Sequence, residues 1–246
     1  MREEEGYRPR NRNLWCSLCV KIIEKNHVVV YNTCGDNMSN PIASALVEAV
    51  FPDGLVCMVC GKRQADNQLV CDDCAVAMLP WEGPEHAVWV YMGAAAEAVR
   101  MLKYRDATAL ARPIGLQMAA LSLKRQLDAD VLVPVPIYWR RRWSRGYNQA
   151  RLLADSMAHY LNLPVDEKTL VRVRHTPSQA GLTREQRLIN LDGAFAVRDQ
   201  ALRGKRILLV DDVTTTGATL QVCTQVLRQA GTKQVIGITA CRTDET

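Results

Sequence analysis

Two hydrophobic periods alternate along the chain. Val88–Tyr91 is a short apolar run of strand type, and the Ala-rich stretch Ala94–Tyr104 behind it repeats apolar positions at helical spacing. A second helical stretch is predicted over Thr108–Leu127, with Pro113 near its first turn, where a missing N–H is tolerated. Val131–Val133 reads as a strand ending in Pro134-Val-Pro136, and a helix opens after Tyr147 and runs through Leu161. Residues 162–206 read as irregular and polar, with one helical turn near Thr183–Leu188. Ile207–Val210 is a strand of the fully buried type, Thr219–Ala230 a helix closed by Gly231, and Gln234–Cys241 a last apolar strand. Strands alternating with helices predict an α/β domain with a mainly parallel sheet.

Upstream of this body the pattern changes. Asn40 as N-cap and Pro41 in the first turn precede Ile42, Leu46, Val47 and Val50 on one helical face, and Pro52-Asp-Gly stops the run. Residues 1–37 hold little sustained period and are expected to be a poorly ordered extension or an upstream start. The expected organisation is therefore 1–37, then a helix with a cysteine-rich module over 38–84, then the α/β domain over 85–246. The 246 residues are 48% hydrophobic and 23% charged, which excludes collagen-like, disordered and coiled-coil classes. No uncharged apolar stretch reaches membrane-spanning length, and the charged start lacks the apolar core of a secretory signal, so a cytoplasmic location is expected. The net charge of +5 permits an anionic partner without requiring one.

In the cytoplasm disulfides seldom persist, so the nine cysteines call for another explanation. Seven fall within the first 74 residues; Cys223 and Cys241 lie in apolar segments and read as small buried hydrophobes. Cys57-x2-Cys60 and Cys71-x2-Cys74 form two CxxC pairs whose four thiolates can close a tetrahedral shell around a structural zinc ion. Cys16, Cys19 and Cys34, with His27 as a candidate fourth ligand, could form a second site.

The segment with most chemistry is Ile207-Leu-Leu-Val-Asp-Asp-Val-Thr-Thr-Thr-Gly-Ala-Thr219. Ligands of open α/β sheets sit beyond the carboxyl ends of strands, where a Thr/Gly loop opening a helix offers N–H groups and hydroxyls to one phosphate. No lysine follows the glycine, so a nucleoside-triphosphate loop is excluded. Asp211 and Asp212 beside such a cradle suit the neighbouring hydroxyls of a sugar phosphate.

This string is very similar to the phosphoribosyl pyrophosphate (PRPP) motif of type I phosphoribosyltransferases. The resemblance implies that the candidate catalytic acids Asp211 and Asp212 bind ribose hydroxyls, directly or through Mg²⁺. It implies too that Thr214, Thr215, Thr216, Gly217, Ala218 and Thr219 bind the 5′-phosphate. Beyond residue 50 the chain resembles the ComF family. The matching pieces are the CxxC pairs, Leu102-Lys-Tyr-Arg105, Pro134-Val-Pro136 with the arginines after it, Arg145-Gly-Tyr-Asn-Gln149, Thr176-Pro-Ser-Gln179 with Arg184 and Arg187, and the PRPP motif. The implied fold is a type I phosphoribosyltransferase-like parallel sheet flanked by helices, with a small N-terminal zinc module of four cysteines. ComF proteins are associated with DNA uptake in natural transformation, and relatives with use of DNA as a nutrient.

Arg140, Arg141, Arg142 and Arg145 directly follow a strand end and suit pyrophosphate, since guanidinium forks match phosphate oxygens. The alternative is a solvated charged face. Thr176–Arg187 reads as a flap closing over PRPP or as an ordinary linker. Arginines interleaved with Trp139, Trp143 and Tyr147 are also the composition of a single-stranded DNA track, which Arg184 and Arg187 would extend. Three functions fit: a PRPP-binding DNA-uptake factor contacting single-stranded DNA and partnered with a DNA-uptake helicase, a salvage phosphoribosyltransferase for an unidentified base or amine, and a PRPP-sensing regulator.

Overall fold

The computed structural model describes residues 56–62, 69–138, 146–176 and 183–243. A short helix, α1 (Asp72–Val76), is capped by the Cys71 side chain, which accepts a hydrogen bond from the Cys74 N–H. The body then runs β1 (Ala87–Val90), α2 (Gly93–Tyr104), a 3₁₀ turn (Thr108–Leu110), α3 (Ala111–Lys124), β2 (Val131–Pro134), α4 (Gln149–Leu161), β3 (Leu170–Arg172), α5 (Arg184–Leu191), β4 (Phe195–Val197), β5 (Arg206–Thr214), α6 (Ala218–Gln229) and β6 (Gln234–Arg242).

β1, β6, β5 and β2 form one sheet in that order, and every pair is parallel. A parallel sheet is covered on both faces, which is why its strands read as unbroken apolar runs. Period-two alternation divides β5 between two cores. Leu208 and Val210 join Leu102, Met118, Leu153, Met157 and Ile238 in one. Ile207 and Leu209 join Val131, Val133, Leu170, Leu191, Cys223 and Leu227 in the other.

The helices follow their sequence signals closely. Asn148 caps α4 through the Ala150 N–H, and Asn162 ends it in the left-handed conformation. The predicted 108–127 helix opens as a 3₁₀ turn, and α3 stops at Lys124. α3 and α4 pack closely because position 115 has no side chain: a Cβ there would lie 2.5 Å from the Ser156 Cβ and Oγ and 3.2 Å from the Leu153 carbonyl oxygen. Gly115→Ala should therefore destabilise the fold by about 1–3 kcal/mol in denaturant melts, although alanine is the better helix former. A stabilised variant would mean that the two helices can part without loss.

The structure corrects the reading of residues 162–206. They contain an antiparallel pair, β3 with β4, in register Leu170↔Val197 and Arg172↔Phe195. Strands of three residues are too short to display a period. α5 also extends past the predicted turn to Leu191, and its start is a capping box formed by Thr183 and Gln186. The expected extension over 1–37 and the helix after Met38 lie outside the described residues. Among the described residues, no helix is long and apolar enough to cross a membrane.

Candidate ligand site and metal centre

The central strand reaches further than its apolar run. β5 continues through both carboxylates to Thr214, with Asp211 opposite Thr239 and Thr214 opposite Arg242 in β6. The two acids are thus residues of the strand, and alternation sends them to opposite faces of the sheet. Asp212 is buried, its Oδ1 lying 3.0 Å from Lys103 Nζ near the end of α2. Burial works against the Lys103 charge, but the carboxylates of Asp212 and Asp211 outweigh it and hold the ammonium above its usual pKa. Asp211 accepts a hydrogen bond from the Asp212 N–H at 2.9 Å. Burial, and then the Asp212 charge, push its carboxyl up to about 7.

After Thr214 the chain turns through 215–217 into α6. Gly217 stands at the turn with φ +76°, a left-handed conformation that side chains resist, and among the described residues beyond its chain neighbours a Cβ built there would meet Thr214 Oγ1 at 4.0 Å. Backbone conformation therefore accounts for the glycine. Thr216 Oγ1 accepts from the Ala218 N–H at 3.4 Å. Arg187, on α5, donates to the Thr215 hydroxyl. A cavity of about 260 Å³ opens here, lined by Lys103, Arg187, Asp211 and residues 213–220. Two cations, one carboxyl and the start of α6 converge on it, a combination that attracts phosphate.

Thr214, Thr215, Thr216, Gly217, Ala218 and Thr219 all line that cavity with Asp211, whereas Asp212 is engaged by Lys103. Arg187 reaches the cavity from a helix. Thr176 is buried and accepts from Arg172. Arg184 opens α5. Arg140, Arg141, Arg142, Arg145 and Gln179 lie outside the described residues. Tyr147 donates to the Leu102 carbonyl at 2.7 Å, tying the start of α4 to the residue before Lys103. Asn148 Nδ2 donates to the Val135 carbonyl at 3.1 Å. Lys103 received no role from sequence reasoning. Its one signal was a lysine inside Leu102-Lys-Tyr-Arg105, next to a fully buried leucine.

The Cys57, Cys60, Cys71 and Cys74 sulfurs lie within 4.8 Å of one another and could hold a metal ion. Cys57 and Cys74 Sγ are 3.9 Å apart, and Cys60 and Cys71 Sγ 3.7 Å. Four thiolates at about 2.3 Å from a tetrahedral zinc ion would be separated by about 3.8 Å, so the donor set fits zinc; a disulfide needs about 2 Å. Burial raises the Cys57 thiol, but hydrogen bonds from the N–H groups of Cys71, Cys60 and Val59 outweigh it and bring the pKa down to about 6. The cluster is not isolated: Ala94 of α2 packs on its buried cysteines, and Met58, Val59, Leu69 and Val70 pack on the main core.

Residues 148–246 match the phosphoribosyl transferase domain family. A DNA utilization protein of Salmonella typhimurium, YhgH, is 35% identical over 208 residues, covering 82% of this chain and 90% of that protein. Competence protein F of Haemophilus influenzae is 39% identical over 129 residues, 51% of this chain and 56% of that one. Competence protein ComFC of Bacillus subtilis is 28% identical over 188 residues, covering 72% and 73% of the two chains.

Proposed function

This chain belongs to the ComF family, with a phosphoribosyltransferase-type fold, and from that premise we propose that it binds PRPP with Mg²⁺ at the threonine loop and serves DNA uptake or DNA utilisation. The observation that carries the reading is the cavity at the end of β5, where Asp211, Lys103, Arg187 and the helix start face one another.

In this reading the N–H groups and hydroxyls of 214–219 hold the 5′-phosphate at the positive end of α6. Asp211 takes a ribose hydroxyl, while Asp212 is steadied by Lys103. Asp211, the carboxylate on the cavity, is the residue that would hold Mg²⁺, which when bound would supply Lewis-acid neutralisation of pyrophosphate oxygens. Lys103 and Arg187 add positive charge, and Arg140, Arg141, Arg142 and Arg145 extend it toward pyrophosphate or a nucleic-acid backbone. Should PRPP be turned over, the protein's contribution is positioning and charge neutralisation around ribose C1′. Cys57, Cys60, Cys71 and Cys74 hold a structural zinc ion, and single-stranded DNA and a DNA-uptake helicase are the macromolecular partners.

Titration calorimetry of the full chain with PRPP, with and without Mg²⁺, tests the small-molecule half. Mg²⁺-dependent binding is expected, and no heat in either condition would remove it. Fluorescence anisotropy with labelled single-stranded and duplex oligonucleotides tests the other half. Single strands should bind more tightly, and affinity should fall steeply with salt as counterions are released. Trp143→Ala should cost roughly 1–3 kcal/mol of that affinity and spare PRPP. The opposite pattern would assign the arginine–aromatic segment to PRPP alone.

A further inference from the structure

The last strand of the sheet ends beside the phosphate loop. Thr214, which closes β5, stands opposite Arg242, which closes β6. On the other side of β6 the Arg242 carbonyl accepts from the Tyr91 N–H at 2.6 Å. Strand ends fray unless something fastens them, and here the Arg242 side chain supplies the fastening. Its Nη2 lies 2.9 Å from Glu85 Oε1, and its guanidinium carbon stands 5.4 Å from the centre of the Trp81 ring.

The partners of Arg242 are themselves fixed. Residues 79–81 run along the edge of β1: the Val90 N–H donates to the Leu79 carbonyl at 2.9 Å, and the Trp81 N–H to the Val88 carbonyl at 3.0 Å. The Trp81 indole folds back over Gly83, where a Cβ would lie 2.4 Å from the ring, so a side chain there would push the indole away. The Gly83 carbonyl accepts from Arg125 Nη2, just past α3, at 3.3 Å. Residues 79–86 therefore form a strap that holds one guanidinium in place.

What the strap holds reaches the ligand site through one peptide. Thr243, the residue after Arg242, donates its N–H to the Thr214 carbonyl at 3.0 Å. That carbonyl shares a planar peptide with the Thr215 N–H, and the two groups point in opposite directions. Fixing the carbonyl toward the end of β6 turns the Thr215 N–H away from it. Thr214 and Thr215 both line the cavity of the ligand site.

We propose that Arg242 is a positioning residue of the phosphate site: clamped by Glu85 and Trp81, it fixes the end of β6 and with it the orientation of the Thr214–Thr215 peptide. The proposal rests on the PRPP reading above. Arg242 acts through the backbone and needs no contact with the ligand.

Calorimetric titration of the full chain with PRPP and Mg²⁺, joined to amide hydrogen exchange followed by NMR, tests it. Arg242→Met keeps the reach of the side chain and removes the charge. It should weaken PRPP binding about three- to tenfold, the contribution of one hydrogen bond. In that variant the Thr243 amide should exchange faster, while Leu208, Leu209 and Val210 keep their protection. Arg242→Lys, which retains a charge beside Glu85, should recover most of the affinity. Glu85→Gln, at a side chain 40% exposed, should weaken binding in the same direction and decides the matter if Arg242→Met fails to fold. A uniform loss of protection along β5 would mark a purely structural role and overturn the proposal. PRPP binding by the parent that Arg242→Met and Glu85→Gln both leave unchanged overturns it too, and leaves the PRPP reading standing. No PRPP binding by the parent removes that reading and this proposal with it.

Discussion

Asp212→Asn should cost the fold about 3–5 kcal/mol, because it leaves the Lys103 ammonium in a largely buried setting without its counter-ion. Asp211→Asn should leave stability unchanged or slightly higher. Burial and the neighbouring Asp212 charge already disfavour the ionised Asp211, so a neutral amide relieves repulsion at that position. Ligand binding should respond differently. Asp211→Asn should weaken PRPP binding about ten- to 150-fold, the loss of one charge-assisted hydrogen bond of about 1.5–3 kcal/mol. Urea melts and calorimetry on the two single variants separate the roles, and Lys103→Met combined with Asp212→Asn should recover part of the lost stability. Equal destabilisation by the two single variants would show that Lys103 does not discriminate between the acids. Unchanged PRPP affinity in Asp211→Asn would place the ligand elsewhere.

Purified, reduced protein should contain about one zinc ion per chain by elemental analysis, and Cys60→Ser should remove it. Binding of a structural zinc ion is worth on the order of 10 kcal/mol or more in small zinc modules, so its loss should unfold the knuckle around 56–76. The damage should not stop there. Ala94 packs on the cysteines, and Met58, Val59, Leu69 and Val70 pack on the main core, so the thermal midpoint of the whole chain should fall as well. A chelator strong enough to strip zinc should reproduce the shift, and zinc re-addition should reverse it. Metal-free protein with an unaltered melt would show that the four thiols hold no structural ion. About two zinc ions per chain would bring Cys16, Cys19 and Cys34 back as ligands.

The succession of elements was legible in the chain because each long element carries its own signal. The unbroken apolar run of β5, the helix opening after Tyr147 and the Gly231 behind α6 depend on neighbours in sequence, and the structure places all three as read. The four cysteines were legible for the same reason: a CxxC pair is a local turn, and two such pairs meet at 3.7–3.9 Å. The threonine loop was recognisable because strand end, glycine turn and helix start are consecutive.

What the chain alone could not settle is whatever depends on contacts between distant residues. Asp211 and Asp212 are adjacent in sequence and read as an equivalent pair, yet the extension of β5 sends them to opposite faces. One meets a lysine 109 positions earlier, the other an open cavity. β3 and β4 escaped notice because neither three-residue strand has a period; each exists by pairing with the other across 22 intervening residues. Arg187 lies in a segment that reads equally as flap or linker, and its helix fixes it beside Thr215. Local sequence thus determined the longer elements and where the threonine loop and the two CxxC pairs lie. The tertiary structure decided which side chains face one another, because burial and ion pairing are set by neighbours in space, and those neighbours gave the two carboxylates different tasks.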